Sequence, residues 1–416
     1  MSNERRVVVT GMSGVTALGN DWETVLTRLK ACENATQYMP SYEQYEGLNT
    51  KLAAPIDGFE LPKHYTRKMV RGMGRVAKLA TLASENALIQ SGLLGHEVLS
   101  NGQTGIAYGS SAGSTDAVRA FGVMLTDKTT SAITATTYVQ MMPHTCAVNV
   151  GLFFGLKGRI IPTSSACTSG SQAIGYAYEA IKYGKQTVML AGGAEELCPT
   201  ESAVFDTLFA TSLKNDNPKS SPSPYDKDRD GLVIGEGAGT LILEEYEHAQ
   251  ARGAKIYAEL VGFATNCDAK HVTQPEQSTM QICMQMALQD AAISADKIGY
   301  ISAHGTATER GDIAESNATA NVLGKNTPIS SLKSYFGHTL GACGAIEAWI
   351  AIEMMNTGWF NPTLNLNNID PACGQLDYIT GSGRDIECEY IMSNNFAFGG
   401  INTSLIFKRF QHPLGQ

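Results

Sequence analysis

One thiol and two imidazoles stand out in this 416-residue sequence because of what surrounds them. Cys167 lies in Pro162-Thr163-Ser164-Ser165-Ala166-Cys167-Thr168-Ser169-Gly170-Ser171, a run of small residues that leaves the thiol uncrowded. Behind it Ile174, Ala177, Tyr178 and Ile181 recur at i, i+3, i+4 and i+7, the apolar stripe of a helix. Ser164 or Ser165 is placed to cap that helix, a hydroxyl accepting from the orphan N–H groups. Cys167 is therefore expected at a helix N-terminus, where the dipole and free N–H groups favour the nucleophilic thiolate. His304 opens His304-Gly305-Thr306-Ala307-Thr308, and His338 sits in Lys333-Ser334-Tyr335-Phe336-Gly337-His338-Thr339-Leu340-Gly341. Glycine beside each histidine lets the backbone approach a ligand closely. A thiol with two imidazoles suits covalent acyl transfer. A simple Cys-His hydrolase needs one imidazole as base, whereas two suit a reaction with two positions to stabilise. Glu347 falls inside an apolar helical run, where an unpaired carboxylate is costly. It is expected to meet a cation, with Lys333 the first candidate.

The elements that must position these groups alternate between β runs and helical periods, an α/β pattern. Residues 6–10 read as a buried strand and 21–31 as a helix. Residues 33–62 read as loop. Residues 62–88 read as one long helical segment carrying Lys63, Arg67, Lys68, Arg71, Arg75 and Lys78. A strand at 105–108, a helix at 145–156 and a short strand at 160–161 lead into the Cys167 turn. Residues 214–231, rich in Asn, Asp, Pro and Ser, read as a surface loop. The pattern then restarts, with strands at 256–262, 300–303 and 328–330 and a helix at 345–355. At an offset of 171, Thr168 matches Thr339, Gly170 matches Gly341, Ala177 matches Ala348, Ala180 matches Ala351 and Ile181 matches Ile352. The matches imply an internal duplication, with halves at 1–254 and 255–416. Cys167 and His338 would then occupy equivalent helix starts facing one site across a pseudo-symmetric interface.

Composition excludes several functions. Hydrophobic residues make up 43% and charged residues 17%, as in ordinary soluble globular proteins. A formal net charge of −9 argues against nonspecific nucleic-acid binding. The start, Met-Ser-Asn-Glu-Arg-Arg followed by Val7-Val8-Val9, does not fit a signal peptide, and no run approaches the roughly 20 apolar residues of a membrane span. Nine cysteines with no C-x-x-C pair fit neither a disulfide framework nor a zinc site, which points to the reducing cytoplasm. Gly235-Glu236-Gly237-Ala238-Gly239 lacks the spacing of a dinucleotide fingerprint. Asp226, Asp228 and Asp230 lack the rest of a calcium loop, so no metal is expected.

The Cys167 run, the HGTAT run, Lys333 through Ala348 and Asn394-Asn395-Phe396-Ala397-Phe398-Gly399-Gly400 together resemble the β-ketoacyl-[acyl carrier protein] synthases, most closely the 3-oxoacyl synthase II type. Residues 215–231 and Gly235–Gly239 share the likeness, which covers nearly the whole chain. The resemblance implies the thiolase fold, a duplicated five-layer αβαβα sandwich. It implies an acyltransferase with no cofactor of its own, whose substrates ride on the 4′-phosphopantetheine of an acyl carrier protein. Cys167 would carry the acyl group as a thioester, and His304 and His338 would hydrogen-bond the malonyl thioester as carbon dioxide leaves. Lys333 would order the site, with Glu347 supporting it. The backbone N–H groups of Cys167 and Phe398 would hold the oxyanion, and Phe398 with Gly399 and Gly400 would form a gate. Thr306 and Thr308 would bind the pantetheine arm. Lys63, Arg67, Lys68, Arg71 and Lys214 are candidates for docking the acidic carrier by charge, against the plainer reading of a solvated face.

Three positions depart from the family pattern: Ala397 stands for a glycine, Glu309-Arg310-Gly311-Asp312 for P-L-N-D, and Ala112 for a larger residue limiting the acyl pocket. These departures resemble type II synthases specialised for polyketides or polyenes. A non-catalytic chain-length factor would lack the nucleophile, and a thiolase-type enzyme would carry a second, C-terminal cysteine in C-x-G. A homodimer is expected, with a heterodimer with a chain-length factor as the alternative.

Overall fold

The computed structural model describes residues 4–411. Its centre is a ladder of β1 (Val7–Thr16), β2 (Thr104–Gly109), β3 (Ile160–Thr163), β4 (Val188–Glu195), β5 (Gly237–Glu245), β6 (Ala258–Cys267), β7 (Ile298–Ser302), β8 (Pro328–Ser330), β9 (Asp377–Tyr378), β10 (Tyr390–Ala397) and β11 (Ile401–Arg409). The spatial order is β9-β8-β7-β10-β11-β6-β1-β5-β4-β2-β3. The pairing repeats. In the first half β2 runs parallel to β3 and β4, then β4–β5 and β5–β1 are antiparallel. In the second half β7 runs parallel to β8 and β10, then β10–β11 and β11–β6 are antiparallel. The two sets meet where Val7, Val8 and Val9 of β1 pair with Leu260, Glu259 and Ala258 of β6.

The helices of eight or more residues are α1 (Trp22–Lys30), α2 (Arg75–Ser91), α3 (Thr115–Asp127), α4 (Thr145–Phe154), α5 (Ser169–Lys182), α6 (Pro199–Asp206), α7 (Gln277–Asp290), α8 (Glu309–Leu323) and α9 (Cys343–Thr357). Helices α5 and α9 lie between the two sets of strands and touch both. Helices α2 and α4 cover the outside of the first set, and α7, with α8 packed against it, the outside of the second. This is the five-layer αβαβα sandwich of the thiolase fold. Every residue of α9 from Cys343 to Met355 is buried, as expected of a helix that is apolar all round. Its side chains Ile346, Trp349 and Ile350 share one core with Ile174, Tyr178 and Ile181 of α5. This buried central layer fixes the starts of α5 and α9, which carry Cys167 and His338 at their approaches.

The structure departs from three expectations drawn above. Residues 62–74 form turns, and the helix begins only at Arg75. Pro62, Gly72 and Gly74 interrupt the period there, and Gly74 is the N-cap. Residues 33–62 are not all loop, since Gln37–Tyr38, Leu52–Ala54 and Ile234–Gly235 form a small three-stranded sheet. The 214–231 stretch is not simply surface: residues 221–226 are buried. Asp226 explains this, because both its carboxylate oxygens accept backbone N–H groups, Oδ1 from Asp228 at 2.9 Å and Oδ2 from Asn367 at 2.7 Å. A further segment, α8, carries no apolar stripe and was not legible as a helix.

Candidate active site

The chain leaves β3, turns through Ala166 and presents Cys167 just before α5. Ala166 is held in the left-handed region at φ +49°, a strained state for a residue with a Cβ. Side chains hold the turn. Ser165 N–H donates to Ser169 Oγ (3.0 Å), which donates to Ala166 O (2.7 Å), and Thr168 Oγ1 donates to Ser165 O (2.7 Å). Neither Ser164 nor Ser165 caps the helix; Thr168 occupies the N-cap position without a side-chain cap bond. Cys167 does sit at a helix start, but the expected ease of ionisation is reversed. Burial pushes its thiol up to about 12, against the opposing pull of the Lys333 charge and of the Phe398 and Cys167 N–H groups. Desolvating an anion outweighs the helix terminus here.

The long-range packing brings the histidines in. His338 N–H donates to Val233 O (2.7 Å) and Gly235 N–H donates to His338 O (3.0 Å), stitching this loop to the first half. Gly337 permits the contact: its φ is +69°, and a Cβ there would lie 2.6 Å from Val233 O. His338 Nε2 then lies 2.9 Å from Cys167 Sγ. The His304 ring stands 5.2 Å from that of His338, nearly perpendicular at 89°. Glu315 of α8 anchors His304 by accepting the His304 and Gly305 N–H groups, both at 2.7 Å. Asp312, one turn earlier, accepts from Thr306 N (3.1 Å), Ala307 N (3.2 Å) and Tyr225 N (2.7 Å). Burial pushes Glu315 up to about 7 and Asp312 up to about 6, despite these bonds.

Hydrogen-bond partners fix which ring nitrogen carries each proton. Leu340 N–H donates to His338 Nδ1 (3.3 Å). Lys333 Nζ and Asn395 Nδ2 both approach His304 Nδ1, at 3.3 and 3.4 Å, and neither group can accept from it. Both Nδ1 atoms are therefore acceptors, which leaves the proton on Nε2 of each ring. Burial, reinforced by the Lys333 charge, holds both imidazoles well below their ordinary range, so both are neutral at pH 7. Cys167, His304 and His338 offer ligand atoms within 4.8 Å of one another. N–H groups rather than lone pairs point inward there, which complements an anionic oxygen better than a cation.

Lys333 and Glu347 meet as expected. Lys333 Nζ bonds Glu347 Oε1, and both side chains are no more than 1% exposed. Burial opposes the ammonium, but Cys343 and Glu347 outweigh it and hold the Lys333 pKa above 10.5. Asn395 Nδ2 donates to Glu347 Oε2 at 2.7 Å. Phe398, Gly399 and Gly400 make the hairpin turn between β10 and β11, with both glycines at positive φ (+86° and +73°). The Phe398 ring packs on Phe205 of α6, centroids 5.0 Å apart. Cys167, both histidines, Phe398, Thr306 and Thr308 line one cavity of about 500 Å³. Thr306 and Thr308 Oγ1 are 2.9 Å apart.

Other expected residues lie elsewhere. Ala112 is not among the residues lining this cavity; its N–H donates to Glu195 Oε1 at 3.4 Å. Lys63, Arg67, Lys68 and Arg71 are exposed on the turns of 62–74 rather than along a helix. Lys214 is half-buried beside Asp230 (3.8 Å) and Ser223 (3.5 Å), so its charge is largely engaged. Arg75 is a bidentate partner of buried Glu236, both bonds 2.8 Å. Sequence reading missed Asn395, Glu315 and Glu195. Glu195 accepts from Ser110 Oγ, Ser111 N and Gly341 N at 2.9, 2.8 and 3.0 Å, tying the loop after β2 to the loop that leads into α9. A usable signal existed for Glu315: Asp312 and Glu315 are acids at i, i+3 directly after HGTAT.

A thiol beside two neutral imidazoles, where the two halves of a thiolase fold meet, is the site of an acyltransferase-type condensing enzyme, one suited to carbon–carbon bond formation through a thioester. Residues 4–249 match the β-ketoacyl synthase N-terminal domain and residues 257–367 its C-terminal domain. The chain belongs to the β-ketoacyl synthase family. It is 39% identical to 3-oxoacyl-[acyl-carrier-protein] synthase 2 of Vibrio cholerae serotype O1, over 98% of this chain and 100% of that one. A crystal structure of a β-ketoacyl synthase from Burkholderia phymatum is 61% identical with a TM-score of 0.97, over 98% and 100% of the two chains. AntDE:AntF, a type II polyketide synthase carrier protein in complex with its ketosynthase, is 31% identical with a TM-score of 0.87, over 98% and 100%.

Proposed function

We propose that the protein is a β-ketoacyl-acyl carrier protein synthase in which Cys167 is the acylated nucleophile. The observation that carries this is the approach of His338 Nε2 to Cys167 Sγ at 2.9 Å, with His304 beside it. In the first step Cys167 sulfur attacks the carbonyl of an acyl-carrier thioester. The oxyanion rests on the Cys167 and Phe398 N–H groups, which already face the sulfur. The carrier's thiol leaves with the proton that Cys167 gives up. In the second step malonyl-carrier protein binds with its thioester oxygen toward the two Nε2–H groups. Its carboxylate leaves as carbon dioxide, and the electron pair passes into an enolate stabilised by those donors, which gain most as charge develops. The enolate carbon attacks the Cys167 thioester, the same N–H pair holds the new oxyanion, and Cys167 departs as thiolate and takes one proton from solvent. The product is two carbons longer. Lys333, held by Glu347, keeps His304 in the donating tautomer. Thr306 and Thr308 meet the pantetheine arm, and Phe398 moves on its two glycines to admit it.

The chain needs no cofactor of its own in this scheme; its substrates arrive on the carrier's 4′-phosphopantetheine. We read residues 1–254 as the half bearing the thiol and 255–416 as the half bearing the histidines. A dimer, with a second copy or with a chain-length factor, is supported by the outermost strand β3, whose Ile160 is 47% exposed, and by α3, which buries only Ala117 and leaves Leu125 67% exposed. Nine free cysteines fit the reducing cytoplasm, and no helix among the described residues is long and apolar enough to cross a membrane. The test is intact-mass analysis after incubation with acyl-carrier proteins of graded length and saturation. A mass gain equal to the acyl group, absent in Cys167→Ala, is expected, and the preferred chain separates fatty-acid from polyene or polyketide work. No adduct from any carrier, with the protein alone or with a partner subunit, would refute the assignment.

A further inference from the structure

Phe209 carries two costs that nothing in the fold repays. It follows α6 with φ +54° and is 92% exposed. The turn is tight: Phe209 N–H donates to Asp206 O (3.0 Å) and Ala210 N–H to Phe205 O (3.0 Å). Glycine normally takes the left-handed position that ends a helix. A bulky aromatic there is an outlier, and such outliers persist where function requires them. The ring gains no burial in return.

Its location points to that function. Phe209 lies on the wall of the cavity that leads to Cys167, with Leu208 (43% exposed) and Val272 (68% exposed). Val272 O accepts the Gly399 N–H at 2.8 Å, so this rim is tied to the Phe398 turn. The charges around the mouth are largely matched. Arg229 pairs with Asp370 (2.7 Å) and Asp312 (3.5 Å), Asp230 faces Lys214, and exposed Glu309 adjoins exposed Arg310. The rim thus offers apolar surface rather than a field of one sign. Cys167 is only 4% exposed. A protein that delivers a thioester on a flexible arm cannot bring its folded body into a cavity of about 500 Å³, so its body must seat on this rim.

We propose that Phe209, with Leu208 and Val272, is the apolar anchor on which the acyl carrier protein docks. This rests on the function proposed above. The test compares wild type, Phe209→Gly and Phe209→Ser with the same acyl group on carrier protein and on N-acetylcysteamine. For Phe209→Gly, KM for the carrier-bound substrate should rise about tenfold, as for an interface anchor. Rates with the small thioester should stay within about twofold, and the melting temperature should rise because glycine relieves the left-handed strain. Gain of stability with loss of docking is a pairing a merely structural role would not give. Unchanged carrier KM in both variants would overturn the proposal, as would an equal loss with both substrates, or a change in oligomeric state marking the patch as a contact between copies. If wild-type Cys167 is acylated by neither substrate, the function itself fails and this inference with it.

Discussion

Replacing Glu347 by leucine tests how the buried ion pair governs the histidines. Lys333 and Glu347 are both essentially inaccessible. Without the carboxylate, the ammonium keeps only His304 Nδ1 at 3.3 Å as a nearby acceptor. Breaking a buried pair in this way costs about 3–5 kcal/mol, a large share of the roughly 5–15 kcal/mol that holds a domain folded. The sign of the pH dependence follows. In the wild type the Lys333 pKa is raised above 10.5. The ion pair therefore contributes fully below that value, and its contribution is lost as pH rises through the folded pKa. In Glu347→Leu the ammonium loses its carboxylate partner while burial still opposes it, so its folded pKa falls, the destabilisation is largest at low pH and it shrinks as pH rises. Once Lys333 is neutral its Nζ can accept a hydrogen bond from an Nδ1–H tautomer of His304, and the Nε2–H tautomer is then favoured by Asn395 Nδ2 alone. Carbon dioxide release from malonyl-carrier protein should then fall on the alkaline side, at a pH where the wild type is still flat. Denaturant titrations from pH 6 to 9 and pH profiles of carbon dioxide release measure both effects. Glu347→Gln, which keeps an oxygen toward Nζ, should lose less of each. Wild-type stability together with a wild-type profile in Glu347→Leu would refute the tautomer argument.

Two further outcomes separate the catalytic steps. His304→Ala should slow carbon dioxide release about 10²–10³-fold, the cost of one donor at a developing oxyanion, while acylation of Cys167 changes little. His338→Ala should impair both steps, because its Nε2–H also faces the sulfur; equal losses in both steps for His304→Ala would show that the two rings do not divide the work this way. With its pKa pushed up to about 12, Cys167 should alkylate with iodoacetamide about tenfold faster per pH unit between pH 7 and 10. A plateau below pH 8, followed by mass spectrometry of the modified peptide, would mean that the helix terminus wins over burial after all.

The sequence by itself determined which side chains gather at the candidate site and most of the frame. Small residues around Cys167, glycines beside His304 and His338, the period of α5 and the apolar run of α9 are local features, and local spacing survives into the fold. The Lys333–Glu347 contact was legible for a general reason: a carboxylate in an apolar helix must find a cation. Tertiary structure alone decided the rest. The charge state of Cys167 depends on how completely strands from both halves exclude water, so burial reversed what the helix start suggested. The tautomers of the histidines are set by Leu340, Lys333 and Asn395, and Asn395 reaches His304 only because β10 runs beside β7. The basic run at 63–71 sits on turns because prolines and glycines outweigh its charge pattern, and residues 221–226 are buried because Asp226 satisfies distant backbone N–H groups. Each of these rests on desolvation or on partners far apart in the chain, and neither is encoded in the spacing of neighbours.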